Sequence, residues 1–330
     1  MASGGGGVNH IRATVFGYEN MLCNQQKKKG IGHLAKRLAL LGCVGLLGGC
    51  VEDDASPETQ VDQPLVLNFK GLIGNEKFLC GKTYEDVGVG KHDYRVEGLR
   101  MYISRLQALL DDGTAVTASL TEDGMWQHDN VALLNFGADC SRGEERELNM
   151  AVDANVRLYS TRRVTGVCFD VGIPFDRNHQ RAEGALPPLD TTALFNSVQN
   201  GRTFLRLDGT ANPEDKPQTF NVQLKSTGCL SEDKNRRPSV ACGSPNIAQV
   251  CVDIDTQEQA IAFDVKSLLA GVDVSKNKDA ELGCYSAKND SECTTIVPAL
   301  GISFEFIEPE KGATSFVPVQ QTVFRVVNMN

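Results

Sequence analysis

Short runs in which apolar and polar residues alternate recur along most of the chain. They include PLVLNF (64–69), YRVEGLRMYIS (94–104), NVALLNF (130–136) and NVRLYSTRRVTGVCFDVG (155–172). RTFLRLDG (202–209), QTFNVQLKS (218–226), QVCVDI (249–254) and AIAFDV (260–265) continue the pattern. A period of two places alternate side chains on opposite faces of a strand. The Gly, Asn, Asp and Pro clusters between the runs read as turns. ISFEFIEP and TSFVPVQQTVFRVV return to the same alternation near the C-terminus. Helix signals are few: Asp190-Thr191 is placed to cap TTALFNSV, and SLLAG (267–271) ends on a glycine. The pattern predicts a mainly β protein, a single β-sandwich of Ig-like or Greek-key type with long loops. No internal repeat and no linker follows residue 64, so the domain is placed at 64–330.

The N-terminal segment follows different rules. Lys27, Lys28, Lys29, Lys36 and Arg37 precede the apolar run LALLGCVGLLGG at 38–49. That run is shorter than the roughly 20 residues needed to span a bilayer. Basic residues, a short apolar core and small residues at its end are the layout of a secretory signal. The run closes as Leu47-Gly48-Gly49-Cys50, which resembles the bacterial lipobox and implies lipid on the Cys50 sulfur. Residues 1–50 are therefore expected to be an extension plus a lipoprotein signal peptide, with translation starting nearer Met21. Residues 51–63, acidic and polar, read as a flexible tether. The expected location is the periplasm or outer membrane, lipid-anchored.

Removing residues 1–50 takes six basic residues and one acidic residue from totals of 33 and 42. It leaves 27 and 41, a formal charge of −14. So acidic a surface argues against nucleic acid as a partner. Of eleven cysteines, Cys23 and Cys43 go with the leader and Cys50 takes the lipid. The remaining eight, in an oxidising compartment, point to disulfides whose connectivity the residues leave open. Cys80, Cys140, Cys229, Cys242, Cys284 and Cys293 sit in turn-rich sequence and are the expected bridge formers. Cys168 and Cys251 lie inside strand-like alternation, where cysteine acts as a small buried apolar residue, and are expected to be free, the alternative being a bond between the two.

Familiar catalytic signatures are absent: the chain has no GxSxG, P-loop or HExxH. The expectation is a binding protein and not an enzyme. The loop at 273–293 offers oxygens but lacks the regular spacing of an EF-hand. Only His92, His128 and His179 lie beyond the leader, and the single tryptophan is Trp126. On a strand, Trp126 and His128 share a face. Two imidazoles with few other soft ligands suit copper or zinc. Two surface histidines and one core tryptophan would give the same spacing.

Several motifs, in order and spacing, resemble the MbnP-like family, the metallo-mystery-pair four-Cys proteins of the periplasm. They are LNFKGLIGNEKFLCGKTY (67–84), DYRVEGLRMYIS (93–104), GMWQHDNVALLNF (124–136) and GVCFDVGIPFDRNHQ (166–180). FLRLDG (204–209), LKSTGC (224–229), GCYSAKNDSEC (283–293) and ALGISFEF (299–306) complete the set. The resemblance implies a β-sandwich that binds copper, as Cu(I) or Cu(II). It also implies a partner, an MbnH-type di-haem peroxidase-like protein that oxidises a tryptophan to kynurenine at the copper site. The matched positions are Trp126, His128 and His179, which the resemblance expects to converge. His92 falls outside the matched motifs. The resemblance further implies the pairs Cys229–Cys242 and Cys284–Cys293, with Cys80–Cys140 as the third. Val222, Gln223, Leu224 and Lys225 stand where members often carry a histidine before STGC, a departure in this chain. The expected role is copper acquisition or storage; the alternative is a surface lipoprotein for adhesion or assembly that keeps the scaffold without metal. Neighbours that orient the imidazoles are not legible from the sequence.

Overall fold

In the computed structural model the described residues are 59–138, 140, 147–278, 282–307, 314–317, 319 and 321–329. Cys50, the leader and most of the tether lie outside them. Strand β1 (Gln60–Ile73) is followed by the short β2 (Glu76–Lys77) and β3 (Thr83–Val87), then by the long β4 (His92–Leu110). Next come β5 (Ala115–Leu120), β6 (Gln127–His128), β7 (Val131–Gly137), β8 (Ala151–Tyr159) and β9 (Val164–Val171). A single-turn helix, α1 (Phe175–Asn178), precedes β10 (Phe195–Ser197), β11 (Gly201–Ala211), β12 (Gln218–Thr219) and β13 (Asn221–Lys225). The order continues through β14 (Ala248–Asp253), β15 (Gln259–Asp264) and helix α2 (Val265–Leu269). It closes with β16 (Gly283–Cys284), helix α3 (Cys293–Ala299), β17 (Phe304–Ile307), β18 (Thr314–Val317) and β19 (Phe324–Asn328).

The protein is mainly β, and all of the strands above except β17 and β18, which pair with each other, join into one curled sheet in which β1 and β4 change partners along their length. The first part of β1 runs antiparallel to β8, from Gln60↔Tyr159 to Asn68↔Ala151. Its last residues pair in parallel with β15, from Phe69↔Ile261 to Leu72↔Asp264. The other switch is β4, which meets β11 at Tyr94–Met101, β7 at Leu99–Ser104 and β9 at Ile103–Leu110. The change to β9 passes through a bulge at Arg105, whose φ of 50° is left-handed. Bulges of this kind bend a strand and sharpen its twist. The expected sandwich class is compatible with this curling.

The core follows the alternation in the sequence. Leu65, Leu67 and Phe69 of β1 are buried, as are Val152, Ala154, Val156 and Leu158 of β8. Along β4 and β7 the alternation lapses: Gly98–Ser104 and all of β7 are buried without a break. Tyr102 explains part of this, since its hydroxyl donates to the Pro188 carbonyl at 3.0 Å and brings the 186–190 loop over β4. Phe69, Phe169, Phe324 and Phe263 form an edge-to-face chain with centroids 5.2–5.7 Å apart.

Four disulfides staple the loops: Cys80–Cys140, Cys168–Cys251, Cys229–Cys242 and Cys284–Cys293. Cys168 and Cys251, expected to be free, are instead joined to each other. Cys168 in β9 faces Cys251 in β14 directly across an antiparallel ladder, with Cα atoms 4.1 Å apart. The segment TTALFNSV is not a helix. It is a 3-10 turn at Thr192–Leu194 that passes into β10, and no side chain caps it. Thr191 instead donates its hydroxyl to the Pro188 carbonyl at 2.9 Å. The SLLAG signal does mark a helix, α2, and Asp264 caps it by accepting from the Lys266 and Ser267 amides.

Candidate metal centre

The hairpin that carries Trp126 and His128 is built around two polar side chains. Asp123 accepts from the backbone amides of Met125, Trp126 and Gln127 at 2.8, 2.7 and 2.9 Å. Partial burial pushes its carboxyl upward, but those three donors outweigh it and the value falls below the usual one. Gln127, 2 % exposed, turns inward. Its amide donates to the carbonyls of Thr121 and Asp153 at 2.6 and 2.9 Å and accepts from the Asp153 amide at 2.8 Å. Trp126 lies in the bend just before β6, and His128 is the second residue of that strand. The two residues after His128, Asp129 and Asn130, both have positive φ, 51° and 58°. This is the backbone of a two-residue hairpin turn, which Asp and Asn tolerate well. The turn returns the chain as β7, with His128 opposite Val131.

Around this frame, Trp126 is partly buried against the core. His128 Nδ1 lies 3.1 Å from a Glu122 carboxylate oxygen, with its side chain 28 % exposed. A carboxylate beside Nδ1 can accept a hydrogen bond from that nitrogen, with Nε2 as the ring's other nitrogen.

His179 follows α1 and is 2 % exposed. Its Nδ1 lies 2.9 Å from the Val198 carbonyl oxygen, which only accepts, so Nδ1 carries the proton and Nε2 is bare. Burial, the largest influence, holds its pKa below the ordinary histidine value, with Arg237 and Arg202 adding to the effect. Nε2 lies 3.6 Å from Sγ of Cys242, and the Phe175 ring tilts against the imidazole at a centroid distance of 4.6 Å.

Arg202 holds this loop in place. It is fully buried, and its guanidinium donates to the carbonyls of Leu189, Arg177, Asn178 and Gln180 at 2.6–3.2 Å. Asn178 in turn accepts from the Arg202 amide at 2.7 Å. Gly201 makes room for that contact, since a Cβ there would lie 2.3 Å from the Asn178 amide nitrogen.

One contact joins the hairpin to α1. Arg177 grips both carboxylate oxygens of Asp129, Nη2 to Oδ1 at 2.8 Å and Nε to Oδ2. The pair lowers the Asp129 pKa, chiefly through these hydrogen bonds. The structure therefore carries Trp126 and His128 in one hairpin segment and ties that hairpin to the turn before His179. Among the described residues, groups of three or more His, Cys, Asp or Glu ligand atoms within 4.8 Å are His179–Cys229–Cys242 and Cys284–Asp290–Cys293. His128 joins neither. His92 stands elsewhere, at the start of β4, with Nε2 3.0 Å from Asp273. Sequence reasoning missed Gln127, Glu122, Arg177 and Arg202. The one available signal was the Asp-Asn dipeptide after His128, which marks a tight hairpin and brings Asp129 to the turn.

No curated protein sequence matches the chain. A solved structure, MbnP from Methylosinus trichosporium, is similar at 26% identity and a TM-score of 0.69. The match covers 82% of this chain and 100% of that one. The MbnP family model matches residues 62–289, a span that contains both histidines, the tryptophan and most of the curled sheet. With more than half of its length matched, the chain belongs to the MbnP family.

Proposed function

We propose that this protein is an exported, lipid-anchored copper-binding protein serving copper acquisition or storage, with Trp126, His128 and His179 as the copper residues. One observation carries the reading. Both imidazoles have Nδ1 set against an oxygen acceptor, Glu122 for His128 and Val198 for His179, which leaves Nε2 as the nitrogen a metal would take, that of His179 in a buried pocket beside Cys242. Metal-binding histidines are oriented in this way, with the remote nitrogen held by a carboxylate or backbone carbonyl. Neutral imidazoles and little other charge suit Cu(I).

Trp126 supplies no donor in its native form, because the indole lone pair belongs to the ring. A four-electron oxidation through an MbnH-type di-haem partner, with a peroxide as oxidant, would open the indole C2–C3 bond with two oxygens. Hydrolysis would then release one carbon as formate, so that kynurenine carries one oxygen more and one carbon fewer than tryptophan. The product carries an aryl amine whose nitrogen can donate. The role assigned to the protein's own residues is orientation. Asp123 and Gln127 fix the hairpin, Arg177 docks it on α1 through Asp129, and Arg202 fixes the loop of His179.

The test is co-expression with the di-haem partner, followed by peptide mass and metal analysis. The expected result is a Trp126 peptide heavier by one oxygen less one carbon, together with bound copper. An unmodified Trp126 in the presence of an active partner would refute the kynurenine reading.

A further inference from the structure

The pocket behind His179 holds a second set of soft donors. Nε2 of His179 and the sulfurs of Cys229 and Cys242 lie within 4.8 Å of one another, and all three residues are buried. The Nε2–Sγ distance to Cys242 is 3.6 Å. Across a tetrahedral metal with a sulfur bond of about 2.3 Å and a nitrogen bond of about 2.0–2.1 Å, the expected separation is about 3.5 Å. The imidazole thus already stands where a ligand to a metal shared with Cys242 would stand.

The two cysteines do not need their bridge to stay side by side. Thr227 and Ser244 exchange both backbone hydrogen bonds, at 2.9 and 3.0 Å, and the Gly243 amide donates to the Gly228 carbonyl at 3.1 Å. Ser226 donates to the Pro245 carbonyl at 2.9 Å, and Gln199 donates to the Cys229 carbonyl at 2.9 Å. The backbone around the pair is therefore held by its own ladder. On reduction the sulfurs can separate by side-chain rotation alone. A cleft of about 300 Å³, lined by Arg105, Ile173, Pro174, Phe175 and Ser226 among others, reaches Cys242 from outside. Arg237 lies 4.9 Å over the Phe175 ring, which packs on the imidazole.

We propose that Cys229–Cys242 is a redox gate, and that its reduction turns the His179 pocket into a buried site of two thiolates and one imidazole for a thiophilic metal ion. The step balances with a dithiol as reductant. The dithiol gives two electrons and two protons to the bridge and closes its own S–S bond, while Cys229 and Cys242 become thiols. A metal ion then displaces the two thiol protons. Two sulfurs and one nitrogen suit Cu(I) or Zn(II). The site shares His179 with the proposed copper centre but needs neither Trp126 nor His128. The same imidazole therefore meets different donors in the oxidised and reduced protein.

The test uses the full chain expressed without a haem partner, with Trp126 unmodified. Brief treatment with a dithiol, removal of the reductant and peptide mapping after alkylation report whether Cys229 and Cys242 open. Cobalt(II), a spectroscopic stand-in for zinc, is then added. The expected result is a thiolate-to-cobalt charge-transfer band in the reduced protein and none in the oxidised protein. The band should be lost in His179→Ala and in Cys229→Ser/Cys242→Ser, and retained in His128→Ala. Circular dichroism on each variant separates loss of the site from loss of the fold. Should His179→Ala not fold, His179→Gln, which keeps a donor to Val198 but weakens the metal ligand, serves in its place. A band that survives the double cysteine substitution belongs to Cys284–Cys293 and overturns the proposal. So does a bridge that stays closed to the dithiol under native conditions. Loss of the band with copper binding intact, or the reverse, distinguishes this proposal from the copper reading.

Discussion

Arg202→Met removes a buried cation while keeping much of its length and apolar stem, and its cost can be worked from the contacts. The guanidinium donates to four carbonyls. Those of Arg177 and Gln180 are only partly buried and can recover water. Those of Asn178 and Leu189 are buried and lose their donor outright. An orphaned buried acceptor costs about 1–3 kcal/mol, so two cost about 2–6. Relief from keeping a charge out of water offsets part of this, and breaking such buried charge networks typically costs about 3–5 kcal/mol. The expected loss for Arg202→Met is therefore about 3–5 kcal/mol in urea unfolding, with an unchanged slope. Arg202→Lys keeps the charge but cannot fork to four carbonyls, so an intermediate loss is expected. Because the carbonyls flank His179, metal binding at that residue should weaken even where the variant is mostly folded. A loss under about 1 kcal/mol for Arg202→Met would refute the reasoning, since it would mean the loop does not depend on these bonds.

Gln127→Leu leaves the Thr121 and Asp153 carbonyls and the Asp153 amide without their side-chain partner, and is expected to cost about 2–4 kcal/mol by denaturant unfolding. A neutral outcome would show that water replaces the amide. Cys168→Ala/Cys251→Ala opens a closure of 83 residues, whereas Cys284→Ala/Cys293→Ala opens one of 9. In the chain-entropy model the losses are about 4–5 and about 2–3 kcal/mol, and equal losses would argue against that model here. Asp129 has its pKa lowered by Arg177. Its contribution is present above the unfolded value of about 3.9 and is lost as pH falls through the lower folded one. Since the pair is a third or more exposed, the effect should stay under about 1 kcal/mol. It should vanish in Asp129→Asn, as measured by stability between neutral pH and pH 3.

Much of the sheet was legible because its strands bury one face. The runs at 64–69, 94–104 and 202–209 fall within strands, and those at 130–136 and 249–254 do so except for Asn130 and Ile254, since alternation records which side chains meet the core. The segment at 155–172 was one continuous run in the sequence but is two strands, β8 and β9, with the turn at Ser160–Arg163 between them. TTALFNSV misled because Asp190 and Thr191 resemble a cap, whereas the cover over β4 requires that stretch to run on as extended chain. The site was legible only in part. A period of two accounts for Gln127 and His128 only, because β6 begins at Gln127 and Trp126 sits in the bend before it. Val198 and Arg202 reach the His179 loop from 19 and 24 residues away, Arg177 meets Asp129 across 48, and Glu122 reaches His128 through a turn; periodicity carries no information about such meetings. The Cys168–Cys251 pair was equally hidden, because the register of β9 against β14 is a property of the folded sheet.

The central claim is that the Nε2 nitrogens of His128 and His179 bind copper beside an oxidised Trp126. Its most direct test is a Cu(I) competition titration of the full chain treated with its di-haem partner, compared with His128→Ala, His179→Ala and His92→Ala. The account predicts stoichiometric binding by the parent protein and by His92→Ala. It predicts weakening of at least roughly tenfold for His128→Ala and for His179→Ala, since each loses an oriented imidazole. Copper affinity equal to the parent in both of those variants would contradict it.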